Sequence, residues 1–342
     1  MRFPAAIDRP VAASLRALPG VAAELIADDV GAAALFERAE LHGVAGVLWD
    51  AWKASGAPVA PALAKRLDVG VIARELDHEA HLGVLRRIDR HIAVPALVLK
   101  GPLFAKRYYS RPSARGTSDI DLLIAEDDVA RAAASLAPLG YTIIDSDREI
   151  ARARREHHHL HCVGRGLPDL ELHFHAYRGF GMTLRAAMLA ERSVVAPGFS
   201  VLRVAAPEDE LVYLAVHAAA HRFGRLAWLH DLRLVVERLS PASLGIAADR
   251  AQAWGLGRVL ALAAQLLVDV LGVSPDTVTP LGALSPARAV LVRAVVSEPR
   301  ARVLGPAARF VYATSLAGST SASLRYAAGY SYGHARRLLG VE

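Results

Sequence analysis

The periodicity of the apolar residues changes twice along this chain, and those changes bound what it can fold into. From Val11 to Asp50 they recur at helical spacing, with Pro19-Gly20 and Gly31 as punctuation and Trp49 and Trp52 near the end. Ala57-Pro58-Val59-Ala60-Pro61 then breaks the pattern before a long helix predicted from about Pro61 to His91. At Val94 the segments shorten. Pro95 to Leu99 is too brief for a helix, Gly101-Pro102 opens a helix through about Tyr109, and Arg111 to Gly116 reads as a loop. Ile120 to Ala125, Tyr141 to Asp145, His157 to Val163 and Asp169 to His175 read as strands, with a helix over Asp127 to Ala137. Beyond Val204 the acidic start Pro207-Glu208-Asp209-Glu210 opens a helix, and helical spacing continues almost to the end. The expected class is α+β: an N-terminal helical lobe over 1–92, a strand-containing core over 93–204 and a C-terminal helical lobe over 205–342.

A length of 342 residues accommodates two or three such lobes, and a chain rich in Ala and Leu with few aromatics favours helix. The net charge of +6 comes almost wholly from Arg, since Lys occurs only at Lys53, Lys65, Lys100 and Lys106. Arg is spread along the chain, which reads first as a solvated surface and second as a phosphate-binding cleft; no Arg-rich recognition helix supports specific nucleic-acid binding. The lone Cys162 excludes an internal disulfide, Met1-Arg2-Phe3-Pro4 lacks a signal-peptide core, and no run reaches the roughly 18 apolar residues of a membrane span. The expectation is a soluble cytoplasmic protein without a membrane partner.

The chemistry concentrates in Gly116-Thr117-Ser118-Asp119-Ile120-Asp121-Leu122-Leu123-Ile124. Two Asp residues one position apart on a strand project from the same face, about 6 to 7 Å apart at Cα, so both can reach one cation. Acidic pairs also occur as solvated strand caps, but this one follows an Arg-bearing loop and runs into an apolar strand. In Asp169 to His175, the residues Asp169, Glu171, His173 and His175 alternate with Leu170, Leu172 and Phe174, which sets Glu171 on a polar face where it can serve as a third acid. Three carboxylates suit Mg²⁺, with Mn²⁺ as the alternative, and a metal-clamped phosphoryl displacement.

Lys100-Gly101, Tyr108-Tyr109, Arg115, Asp119 to Ile124, Gly140-Tyr141 and Glu171-Leu172-His173 resemble the motif series of the uncharacterised nucleotidyltransferase family of the polymerase β-like superfold. The resemblance continues through Pro207-Glu208 and His217 to Arg222 to Leu226 to Asp231, and covers roughly Val94 to Val273. It implies a small mixed sheet flanked by helices and a nucleoside triphosphate with Mg²⁺ at the acidic strand end. It makes Asp119 and Asp121 metal ligands and Glu171 the third acid, able to ligate metal or activate the acceptor hydroxyl. Where many enzymes of the superfold carry Gly-Ser, this chain has Gly101-Pro102; Lys100, Arg111 or Arg115, with Gly101 and Ser118, are the phosphate-side candidates.

Histidines supply the competing signal. His157, His159 and His161 share a strand face near Cys162, His173 and His175, a set that reads as a polar active-site wall, as surface histidines or as a zinc site, although neighbours on a strand tend to splay apart. His217 and His221 share a helix face, but Ala218 stands where a metalloprotease would carry its glutamate. With Asp231, and with His159 and His173, they are candidates for the acceptor side of the cleft. Lys106 and Arg107 are expected to face solvent. Three functions follow: a nucleotidyltransferase acting on a small-molecule, peptide or protein acceptor, a catalytically silent nucleotide-binding module, and a zinc-binding protein. Base, acceptor and oligomeric state stay open; the tail with Tyr326, Tyr330 and Tyr332 packs either on the helical lobe or on a second copy.

Overall fold

The computed structural model describes residues 8–18, 29–143, 157–290 and 305–338. It is a mixed α+β protein in which, among the described residues, nine short strands are set among helices. Seven of them, β1 (Leu97–Val98), β2 (Asp119–Leu123), β3 (Thr142–Ile143), β4 (His159–Val163), β5 (Asp169–His173), β8 (Val194–Val195) and β9 (Arg203–Val204), form one sheet in the order β3-β4-β5-β2-β1-β9-β8. The sheet is mixed because β2 pairs parallel with β5 and antiparallel with β1. The remaining two, β6 (His175–Gly179) and β7 (Met182–Arg185), form a hairpin.

One face of the sheet is closed by helices. Ile120, Leu122, Leu160, Cys162, Leu170, Leu172 and Phe174 enter a core with Leu82, Val84, Leu85 and Ile88 of the Pro61–His91 helix and Val129, Ala132 and Leu136 of the Val129–Leu136 helix. Pro61 at the first turn starts the long helix where its missing N–H costs nothing. The same packing explains the division of the chain. One compact unit comprises Ala13–Tyr177 with Leu184–Glu210, so most of the expected N-terminal lobe belongs with the sheet. The other comprises Met1–Ala12, Arg178–Thr183 and Leu211–Glu342.

Two details differ from the sequence pattern. The strand expected from Asp169 to His175 stops at His173, because the amides of Phe174 and His175 both donate to His158 O, at 3.0 and 3.3 Å. Two residues opposite one carbonyl kink the chain, and His175 leaves the Glu171 row to lie 3.6 Å from Glu126 Oε2. Arg107, expected in solvent, donates to the buried Glu210 carboxylate at 3.0 Å. The third expected strand is seen at Thr142–Ile143; its continuation to Asp145, the Pro19-Gly20 break and the side chains of Tyr330 and Tyr332 lie outside the described residues. Tyr326 faces Phe310 at a ring separation of 6.2 Å.

The loop ahead of β2 is held by a close approach to a helix. A Cβ on Gly46, in the Ala45–Ser55 helix, would lie 2.7 Å from Ala114 O and 2.9 Å from Ala114 Cα. Gly46→Ala is expected to cost about 1–3 kcal/mol, the range for forcing extra volume into packed structure. Thermal melting checks this, and an unchanged midpoint would mean that the loop yields freely.

Candidate functional site

Strand register assembles the site. In the parallel β2–β5 pair Asp121 stands opposite Glu171 and Leu123 opposite His173; in the antiparallel β4–β5 pair His161 stands opposite Glu171 and His159 opposite His173. Successive side chains alternate between faces. With Ile120, Leu122, Leu160, Leu170 and Leu172 committed to the core, the intervening residues Asp119, Asp121, Glu171, His173, His159 and His161 come together on the other face.

Lys100 and His173 link the acids. Leu99 N donates to Asp121 O at 3.1 Å, which brings the end of β1 beside the pair. Lys100 Nζ then lies 3.2 Å from both Asp119 oxygens and makes a 2.7 Å ion pair with Asp121 Oδ2. His173 Nε2 donates to Asp121 Oδ1 and to Glu171 Oε2, each at 3.1 Å. The result is an alternating row: Asp119, Lys100, Asp121, His173, Glu171. Ser118 Oγ adds a hydrogen bond to Asp119 Oδ1 at 3.1 Å.

Burial and charge compete along this row. Asp121 is 1% exposed, and burial alone would raise its pKa; Lys100 and His173 outweigh burial and hold it well below the usual carboxylate range. Burial likewise opposes charge on Lys100, but Asp121 and Asp119 keep the ammonium pKa above its ordinary value. The hydrogen bond from His173 lowers the pKa of Glu171 against its burial. His173 itself is raised, its bonds to Asp121 and Glu171 overcoming desolvation. The sequence pattern assigns Lys100 to phosphate and His173 to the acceptor side; the fold also seats both between carboxylates. Their residue types were visible; their seats depend on register.

The other candidates are distributed as follows. Gly101 has φ +78°, and a Cβ there would meet Thr117 Cγ2 at 3.4 Å, so glycine suits the turn from β1 into the Pro102–Tyr108 helix. Arg111 forms a forked pair with Asp50, with Nε at 2.9 Å and Nη2 at 2.8 Å from carboxylate oxygens, while Nη1 reaches Ser113 Oγ. Arg115 is buried with its guanidinium 5.4 Å from the Phe104 ring centre. His217, His221 and Asp231 belong to the second compact unit. There the rings of His217, His221 and Trp228 cluster at 4.9 to 5.5 Å, and Asp231 is buried.

The histidines of β4 do not splay. His159 Nε2 and His161 Nε2 are 3.2 Å apart. Burial lowers the pKa of His159 to about 4 and that of its neighbour His158 to about 3. Ligand atoms of Asp121, Glu171 and His173 lie within 4.8 Å of one another, as do those of His159, His161 and Glu171. His157 precedes β4 and is exposed.

A mixed sheet with helices on one face and a carboxylate row on the other gives the α+β architecture of a nucleotidyltransferase. Residues 28–272 match the model of a family described as uncharacterised nucleotidyltransferase, and the chain belongs to that family. The match begins well ahead of Val94 and takes in the helices from Asp29–Leu41 to Pro61–His91, while the Arg9–Arg16 helix lies before it. No curated protein and no solved structure matches the chain.

Proposed function

We propose that the protein transfers a nucleoside monophosphate from a nucleoside triphosphate to an acceptor oxygen, using Mg²⁺ held by Asp119, Asp121 and Glu171. The observation that carries this reading is the convergence of the Asp119 and Asp121 carboxylates on one cationic centre, Lys100 Nζ, at 3.2 and 2.7 Å. Paired carboxylates already aimed at a single positive charge are the donor set that Mg²⁺ prefers. The depressed pKa values of Asp121 and Glu171 favour ionised ligands over a proton-accepting base, so Glu171 is assigned to holding metal. When bound, the ion supplies charge stabilisation to the phosphoryl oxygens.

The remaining residues position. In the reaction the acceptor hydroxyl gives its proton to water as its oxygen bonds to the α-phosphorus and the bond to pyrophosphate breaks. Lys100 balances the carboxylates and offers positive charge beside Gly101, on the phosphate side, while His173 fixes the orientation of Asp121 and Glu171 through one N–H shared between them. Among the described residues no helix is long and apolar enough to cross a membrane.

Calorimetry with each of the four ribonucleoside triphosphates, with and without Mg²⁺, tests the reading, alongside pyrophosphate release in the presence of mixed small-molecule and peptide acceptors. Mg²⁺-dependent binding with release is the expected result, and Asp119→Asn should remove both. Binding that ignores Mg²⁺ and survives Asp119→Asn would overturn the assignment. Binding without release would favour the silent module.

A further inference from the structure

Glu171 presents its two oxygens to two different sets of donors. Oε2 is engaged by His173 within the acidic row. Oε1 faces the other way, 4.0 Å from His159 Nε2 and 3.9 Å from His161 Nδ1, beyond hydrogen-bond length to either. The arrangement follows from the strands: alternation sets His159 and His161 on one face of β4, and the antiparallel register puts His161 directly across from Glu171. Core residues Leu160 and Cys162 fix which face that is.

We propose that His159, His161 and Glu171 form a second divalent-cation site, for a borderline metal of the Zn²⁺ class, with Glu171 shared between it and the acidic row. Two imidazole nitrogens bound to one tetrahedral Zn²⁺ at about 2.0–2.1 Å are roughly 3.3 Å apart. The two Nε2 atoms here are 3.2 Å apart, so His161 would ligate through Nε2 rather than through the Nδ1 that lies nearer Glu171, and one donor atom from each of the three residues lies within 4.8 Å of the others. Two histidines and one glutamate are a sufficient protein set for Zn²⁺ that keeps a position open to water or substrate. The donor chemistry separates the two sites, since Mg²⁺ takes oxygen and dehydrates reluctantly, whereas imidazole selects later divalent metals. Access is also provided: the His161 side chain is 55% exposed, so a cation enters from solvent.

The site shares Glu171 with the acidic row but takes no ligand from Asp119, so a change at Asp119 tells the two readings apart. The test uses the full chain without a histidine tag, stripped with chelator and titrated with Co²⁺ as a spectroscopic probe. A saturable visible d–d spectrum that Zn²⁺ displaces is expected, with affinity weakened at least about tenfold in His159→Ala and in His161→Ala. His161→Ala alters an exposed side chain, so a melting curve matching the parent separates lost ligation from lost folding. Asp119→Asn should leave the Co²⁺ spectrum intact while removing Mg²⁺-dependent nucleotide binding, so the two readings can fail separately. No saturable spectrum in the parent protein, or unchanged Co²⁺ affinity in both histidine variants, would overturn the site.

Discussion

Asp121→Asn is expected to reduce nucleotidyl transfer by roughly 10³-fold, the scale of the several kcal/mol that a correctly held metal supplies to a phosphoryl displacement. The side chain keeps its shape and loses its charge. Asp121 is the centre of the row, contacted by Lys100 on one oxygen and His173 on the other. Neutralising it leaves Lys100 with Asp119 alone and His173 with Glu171 alone. Because the group is buried, the substitution should also destabilise the fold by about 3 kcal/mol, the lower end of the cost of breaking a buried ion pair. Asp119→Asn separates the two effects. Its carboxylate is 26% exposed, so its neutral form should fold close to normally while still losing Mg²⁺-dependent binding. Transfer rates normalised to folded protein are the deciding measurement; a folded Asp121→Asn protein with parental transfer would remove this carboxylate from the chemistry.

The contrast between the two aspartates shows what the sequence could carry. That they share a strand face follows from their spacing, and that β2 is apolar on its other face follows from Ile120, Leu122 and Ile124. The Pro61–His91 helix was legible for the same reason, a long period with a proline start. Pairing was not legible in this way. The β2–β5 pair is parallel, joins segments about fifty residues apart, and alone decides that Glu171 meets Asp121. Strands as short as Leu97–Val98 and Arg203–Val204 have no alternation to read, yet β1 delivers Lys100 to the acids. The partner of Arg111 is of the same kind: a loop arginine suggests phosphate, and only folding shows it forked onto Asp50.

Asp89 carries the second large expectation, and it concerns how β1 is kept in place. It lies in the last turn of the Pro61–His91 helix, where the helix dipole disfavours negative charge, so its carboxylate needs other partners. It has three: Ser200 N on Oδ2, and Val201 N and Leu202 N on Oδ1, each at 2.8 Å. These bonds pin the segment entering β9, which pairs parallel with β1. Asp89→Ala strands three amides and should cost about 3–5 kcal/mol, given roughly 1.5–3 kcal/mol for a hydrogen bond to a charged group and incomplete additivity. The pH dependence has a definite sign. Burial would raise the Asp89 pKa, but the bonds from Leu202, Val201 and Ser200 together bring it below the ordinary value. A carboxyl that is more acidic folded than unfolded contributes its full stability above the unfolded pKa of about 3.9 and loses it as pH falls through the folded value. The difference in melting temperature between the parent and Asp89→Ala should therefore be constant near neutrality and narrow below about pH 4. Melts at pH 7 and pH 3 measure it. An equal gap at both values would mean that the three amides are held by geometry rather than by the charge, and no gap at either would mean that another contact anchors β9 against β1.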